Sequence, residues 1–514
     1  MKKKAIIPIH YSFLRFFAAS YILCPVVIFL IGFVKWYWAI PGVCAIGYSL
    51  YKIINNSRGN LINEIPIDIP FRTIAGIFLF MLLWTFLGGM NGFWYQSSDY
   101  SVRNAVLRDL TTHSWPVIYQ NGNTALVYYI GHWLPAAVIG KISYAIFHSM
   151  QFTWLSARIA LWVWSSIGLT ILSLLLIFHV QADNRKKRIM AILIMVFFSG
   201  MDIVGTLLEQ KLAYNLSADV LHLEWWSPKY WQYSSITTCL YWVFNQAITP
   251  WIVTLLILID PEPRYYILYI SACMISAPMP AVGLSFVIIG KEIPALVNAI
   301  RTHNITARLK SIFSVSNMLM LLTCIPIMVF YLLCSSTTGD IEAKTTITGN
   351  SSIIRTMIQF GIFYILEAGI ILIVLWPDYK KDPLFYTVGL SLLIMPFIRV
   401  GQGTDFCMRG SIPAVFLLMV FSVKRLMATT RDGIKEKSIF QRRYLTIALI
   451  IILTVGAVTP AVEIYRGFYN VISKGNVKLT SDDLYSFENE ANSYNFTTPE
   501  YKHTLFFSVY AQNP

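Results

Sequence analysis

Apolar runs of about twenty residues recur along most of this chain, separated by short polar stretches. They cover residues 13–34, 36–53, 71–90, 152–180, 189–206, 238–260, 311–334, 353–376, 384–400, 411–427 and 444–463. A helix needs roughly 20 apolar residues to cross a bilayer core, so each run predicts a span, the first two forming a tight hairpin. Residues 266–290 are too short for two full spans and carry Pro278 and Pro280 at their middle. That pattern predicts two half-length helices, whose broken backbone must be buried in protein. The expectation is an all-α polytopic membrane protein with roughly thirteen crossings.

Charge orients these runs, because Lys and Arg accumulate in cytoplasmic loops. Residues 126–149 could be counted as a further span. If they were, Arg185, Lys186, Lys187 and Arg188 would fall outside, against the charge bias. The consistent solution lays 126–149 on the outer surface and lets 152–180 cross inward. Lys291, Arg301, Arg308, Lys310, Lys380, Lys381 and the basic stretch 424–443 are then cytoplasmic. The N-terminus is inside and the residues after 463 are outside. The basic start MKKKAIIPIH leads into an apolar run without a small-residue cleavage site, so the first run reads as a retained span.

Composition agrees. Of 514 residues 56% are hydrophobic and 13% charged, against roughly 25% charged in soluble domains. The net charge of +14 is mostly the positive-inside bias, the remainder being free to meet lipid phosphate. Its clusters sit in short inter-span loops, so no nucleic-acid partner is expected. The seven cysteines lie mostly inside spans and lack metal-ligand spacing, so neither a disulfide framework nor a zinc site is indicated.

The chemistry concentrates in the stretch 93–141, too polar to cross a bilayer. It holds the carboxylates Asp99 and Asp109, the cations Arg103, Arg108 and Lys141, and the aromatic residues Tyr95, Trp115, Tyr128, Tyr129 and Trp133. Residues 101–111 read as a short helix. Asn123 and Thr124 offer the start of a second, amphipathic helix with Leu126, Ile130, Trp133 and Leu134 on its apolar face. Asp99 suits a general base and equally suits a helix N-cap before Tyr100. Asp109 reads as a helix-face partner of an Arg.

This arrangement resembles the first external loop of bacterial GT-C glycosyltransferases: an Asp soon after a core span, a short polar helix, a WP turn, then a YYxxxxLPAAxxGK helix. Many relatives have His where this chain has Asn104, so no His role is carried over. A second likeness is the DFCMRGSIP segment, similar to the DFxMRxSxP element of such enzymes. The resemblance implies a GT-C fold with juxtamembrane helices in the first large loop. It also implies an inverting transfer of a sugar from a polyprenyl-phosphate-linked donor to a cell-surface glycan or glycolipid. The site would face the outer side of a bacterial plasma membrane, with Asp99 as base. No cofactor is required, although Asp99 with a second carboxylate could hold a divalent metal.

Two further segments reach the same outer face. One is the Gly-rich turn with Arg399, Asp405 and Arg409. Guanidinium forks suit phosphate oxygens, so Arg399 and Arg409, with Arg108 and Lys141, are the candidate donor-phosphate residues. Asp405 is a candidate sugar or acceptor residue that would equally pair with an Arg to pin two helix ends. The other segment carries Asp202, His222 and Glu224, followed by Asn245 and Gln246 at the head of the next span. These five are candidate sugar or acceptor residues. A lone Asp202 in an apolar run must be paired or face a cavity. His222 and Glu224, two apart, make poor zinc spacing. Trp225, Trp226, Tyr230, Trp231 and Tyr233 fit either an interfacial belt or a sugar-stacking platform.

Three regions follow: a hairpin and cytoplasmic link over 1–70, a catalytic core over 71–464 with its external loop at 91–150, and an external cap over 465–514. Two other functions remain open. An O-antigen-type polymerase or ligase would be expected to hold its key Arg residues in large external loops. A lipid-linked glycan transporter or flippase would be expected to show a second broken helix pair matching that at 266–290.

Overall fold

A computed structural model describes residues 6–60, 67–119, 123–212, 222–229, 231–335, 353–398, 400, 405–428, 436–475, 486–489 and 495–512. Helices dominate. Among the described residues nine are long and apolar enough to cross a membrane, and two shorter apolar helices, Phe71–Leu87 and Pro383–Phe397, accompany them. The protein is an all-α polytopic membrane protein.

In chain order, strand β1 (Ile6–Ile9) leads into α1 (Tyr11–Phe33) and α2 (Trp36–Asn60); β2 (Ile67–Pro70) then leads into α3 (Phe71–Leu87). Strands β1 and β2 pair antiparallel, with Ile6 opposite Pro70. The loop region after α3 contributes α4 (Tyr100–Thr112), β3 (Ile118–Tyr119), β4 (Thr124–Leu126) and α5 (Leu134–Phe147). Next come α6 (Met150–His179), α7 (Arg185–Phe197), α8 (Asp202–Leu208) and α9 (Ile236–Ile259). The chain continues through α10 (Tyr266–Cys273), α11 (Pro278–Arg301), α12 (Ile305–Ile312), α13 (Val315–Thr323) and α14 (Ile353–Tyr364). A π-turn at Ile365–Gly369 joins α14 to α15 (Ile370–Tyr379); α16 (Pro383–Ile394), α17 (Asp405–Met427), α18 (Glu436–Gly456) and α19 (Val458–Lys474) follow.

Helices α9 and α17 occupy the centre, where nearly every side chain is buried. They pack against each other and against α11. A Cβ on Gly283 of α11 would lie 2.2 Å from the Gly410 carbonyl of α17, so glycine permits this close crossing. One end of the bundle is tied by Asp260, which accepts from Tyr11 at 2.7 Å, Tyr269 at 2.8 Å and Arg15 at 3.0 Å. The basic cluster of α7 sits at that end too, with Arg188 donating to the Asp68 carbonyl at 2.8 Å.

Two sequence expectations change. The amphipathic helix does not begin at Asn123: Thr124–Leu126 is a strand, paired with β3 and with β5 (Thr497–Pro499). Val127 continues the extended path, donating to the Phe496 carbonyl at 2.9 Å. The run TALVYY is β-branched and aromatic, which favours strand. The helix waits for Leu134, with Pro135 in its first turn, where the missing N–H is harmless. The second member of the expected half-length pair is also longer: α10 has 8 residues, but α11 has 24. Pro278 and Pro280 occupy the first turn of α11 and so start it rather than break it.

Candidate active site

The reversal after α3 positions Asp99. Gly89 and Gly92 adopt φ of +79° and +70°, and a Cβ on Gly89 would sit 2.4 Å from the Tyr95 carbonyl. Tyr100 then donates to the Gly88 carbonyl at 2.6 Å, Gln96 to the Gly89 carbonyl at 2.8 Å, and Asn104 to Gln96 at 2.9 Å. These bonds lock the start of α4 against the end of α3. Asp99 stands at the N-cap position, yet its carboxylate accepts no helix N–H. It accepts instead from Arg103 Nη2 at 2.8 Å, and half of the Asp99 side chain is exposed while Arg103 is buried.

A matching pair lies at the start of α17. Asp405 is 2.8 Å from Arg409 Nη2, again four residues on, with the carboxylate exposed and the guanidinium nearly covered. Arg409 donates to the Tyr129 hydroxyl and lies 5.7 Å from that ring's centre. The Tyr128 and Tyr129 rings meet at a tilt with centres 3.6 Å apart and feel the charges of both Arg103 and Arg409. Burial pushes both phenols above their ordinary range, so they remain neutral hydrogen-bonding groups. Among the described residues Arg103 Nη1 and Arg409 Nε are buried without a hydrogen-bond acceptor. Two carboxylates at the surface thus stand over two buried guanidiniums and a tyrosine pair. Such a floor suits an anion with several oxygens, and such a rim suits hydroxyl groups.

Phe244 of α9 forms one wall, 5.9 Å from the Arg103 guanidinium. Helix α9 departs from helical geometry at Val243. Asn245 and Gln246 follow that kink, both buried; Asn245 Nδ2 and Gln246 Oε1 have no partner among the described residues.

The second candidate segment forms a separate polar cluster. Asp202 accepts from Ser199 at 2.8 Å and Thr459 at 2.9 Å, and its carboxyl is hydrogen-bonded to that of Glu367 in the π-turn. Glu367 also accepts from Trp226 at 2.9 Å. Glu224 accepts from Gln232, Ser234 and the Ser235 N–H at 2.6, 2.7 and 2.9 Å. Burial, with Asp202 adding repulsion, raises its pKa to about 7. His222 turns away from Glu224 and pairs with Glu463 at 3.0 Å, which Arg466 and Trp242 also hold at 3.0 and 2.9 Å. Among the described residues no group of three His, Cys, Asp or Glu is arranged to hold a metal. Trp226 and Trp231 are buried, so neither is an interfacial or stacking surface. Tyr230 lies outside the described residues.

The remaining predicted phosphate residues stand elsewhere. Lys141 reaches the His113 carbonyl and lies 5.1 Å above the Trp115 ring. Arg108 is half-buried on α4, five residues beyond Arg103. Arg399 lies outside the described residues. Among the described residues Asp109 has no Arg partner: Tyr119 donates to it at 2.7 Å and the Phe487 N–H at 3.1 Å. Sequence reasoning passed over Arg103 as a phosphate residue, although its i+4 spacing from Asp99 was visible. It also missed Glu367, a lone carboxyl in an apolar run like Asp202, and Glu463 with Arg466, which lie three apart on α19. The chain matches no protein-family model, no curated protein and no solved structure.

Proposed function

We propose that this protein is a membrane glycosyltransferase of GT-C type. It would move a sugar from a polyprenyl-phosphate-linked donor to a cell-surface glycan or glycolipid. In this reading the site and the tail lie on the outer face of a bacterial plasma membrane, the N-terminus is cytoplasmic, and the chain makes roughly thirteen crossings. The observation that carries the reading is the half-exposed Asp99 carboxylate beside Arg103, with the Arg409–Asp405 pair across Tyr128 and Tyr129. Transfer to a hydroxyl needs a base for its proton, and the departing phosphate needs positive charge. Asp99 supplies the first; Arg103 and Arg409 supply the second. A single displacement with one base inverts the anomeric centre.

The test is transfer by the purified protein in nanodiscs, from a panel of radiolabelled polyprenyl-phosphate sugars to a lipid and glycan extract. The wild type should transfer from at least one donor, and Asp99→Asn should lose activity by roughly 100-fold or more while remaining folded. Arg103→Lys should lower kcat by a similar factor, since a point charge replaces a fork. Equal transfer by Asp99→Asn would move the base elsewhere. No transfer from any donor would overturn the enzyme reading.

A further inference from the structure

A groove of about 820 Å³ opens between α3 and α7, at the end of the bundle opposite to the Asp99 site. Each helix lends it one stripe at i, i+4, i+8 spacing: Arg72, Gly76 and Phe80 from α3, and Arg185, Ile189 and Leu193 from α7. Both stripes run from an exposed guanidinium into apolar surface. Ile189 and Leu193 are 46% and 45% exposed, and a Cβ added to Gly76 would meet nothing within 4 Å. Among the described residues nothing fills the groove along its apolar length.

The charges at its mouth fit one kind of occupant. Arg72 and Arg185 have no ion-pair or hydrogen-bond partner among the described residues. Arg188 is committed to three backbone carbonyls, those of Ala182, Asp68 and Asp183. Of the two acids there, Asp183 is held by Lys187 at 2.9 Å, and Asp68 is exposed. The rim is left net positive. Both helices also begin at this end, so their dipoles add positive potential, and Pro70 gives α3 no side-chain cap. Positive charge above an apolar trough in a membrane protein matches a phosphodiester headgroup above an acyl chain.

We propose that this groove is a binding site for one anionic phospholipid, whose phosphate is held by Arg72 and Arg185 and whose chain lies along Gly76, Phe80 and Ile189. The site rests on the membrane-spanning character of the chain and not on the transfer reaction, so the two can fail separately.

The test uses the full chain reconstituted in vesicles of mixed phosphatidylglycerol and phosphatidylethanolamine, extracted into detergent, with retained lipid counted by native mass spectrometry. Wild type should retain one phosphatidylglycerol in preference to phosphatidylethanolamine. The double variant Arg72→Gln, Arg185→Gln should lose that retention by roughly tenfold or more. Gly76→Phe, whose ring enters open space and leaves the fold intact, should lose it as well. A Lys186→Gln control should retain lipid as wild type does. Retention of phosphatidylglycerol at the wild-type level in both groove variants would overturn the site. Equal retention of both lipids by wild type would overturn its anionic character.

Discussion

Glu224 shows how much a single buried carboxyl can tie this fold to pH. Burial first, and the Asp202 charge second, raise its pKa from the usual 4.5 to about 7. The folded chain thus holds this proton more tightly than the unfolded chain does. The resulting stability is fully present below about pH 4.5 and is lost as pH rises through about 7. In detergent the Tm should therefore fall between about pH 5 and 8, and Glu224→Gln should flatten that fall. Parallel slopes for the two proteins would assign the dependence to another group. The sequence made Asp202 conspicuous, since a charge in an apolar run needs a reason. It did not reveal that Glu367, some 165 positions later, would be its hydrogen-bonded partner. That pairing depends on how α8 and the π-turn meet in space, which no local pattern encodes.

At the scale of elements, the apolar runs were easy to read because a span must hide its backbone whatever its neighbours do. Helix starts inside the loop region after α3 were harder. There the TALVYY run found strand partners in β3 and β5, the latter more than 370 residues away. Asp99 as a cap was reasonable from position alone; Arg103 competes for the same oxygens and takes them. Packing between elements gives a sharper test. A Cβ on Gly205 of α8 would lie 2.2 Å from the Trp226 ring, whose indole N–H holds Glu367. Gly205→Val should force that ring aside and destabilise the protein by about 1–3 kcal/mol. Gly361→Leu, pointing into open space, should leave Tm nearly unchanged. Equal melting of the two variants would show that the Trp226–Glu367 contact carries no weight.

At the scale of the whole molecule, the segment after α19 is anchored on the loop region between α3 and α5. Asp109 is buried and holds the Phe487 N–H, β5 joins the loop sheet, and Phe487 stacks on Phe496 at 4.9 Å. Removing the carboxylate leaves the Tyr119 hydroxyl and that N–H without their acceptor, at roughly 1–3 kcal/mol. Asp109→Ala should accordingly expose residues after 475 to limited proteolysis sooner than wild type. Unchanged cleavage would mean that β5 alone suffices.

Beyond Phe496 the chain returns to the C-terminal end of α1. Ala511 bridges Val34, Lys35 donates to the Tyr510 carbonyl at 2.8 Å, and Gln512 reaches the Gly32 carbonyl across 480 residues. A ribosome adds about 5–20 residues per second. The turn between α1 and α2 is therefore made long before the 510–512 segment that pairs with it exists. For roughly half a minute to a minute and a half, the Gly32 and Phe33 carbonyls and the Lys35 N–H, which the 510–512 segment meets in the finished fold, have only water, lipid headgroups or a chaperone to satisfy them. A turn made early is thus completed late.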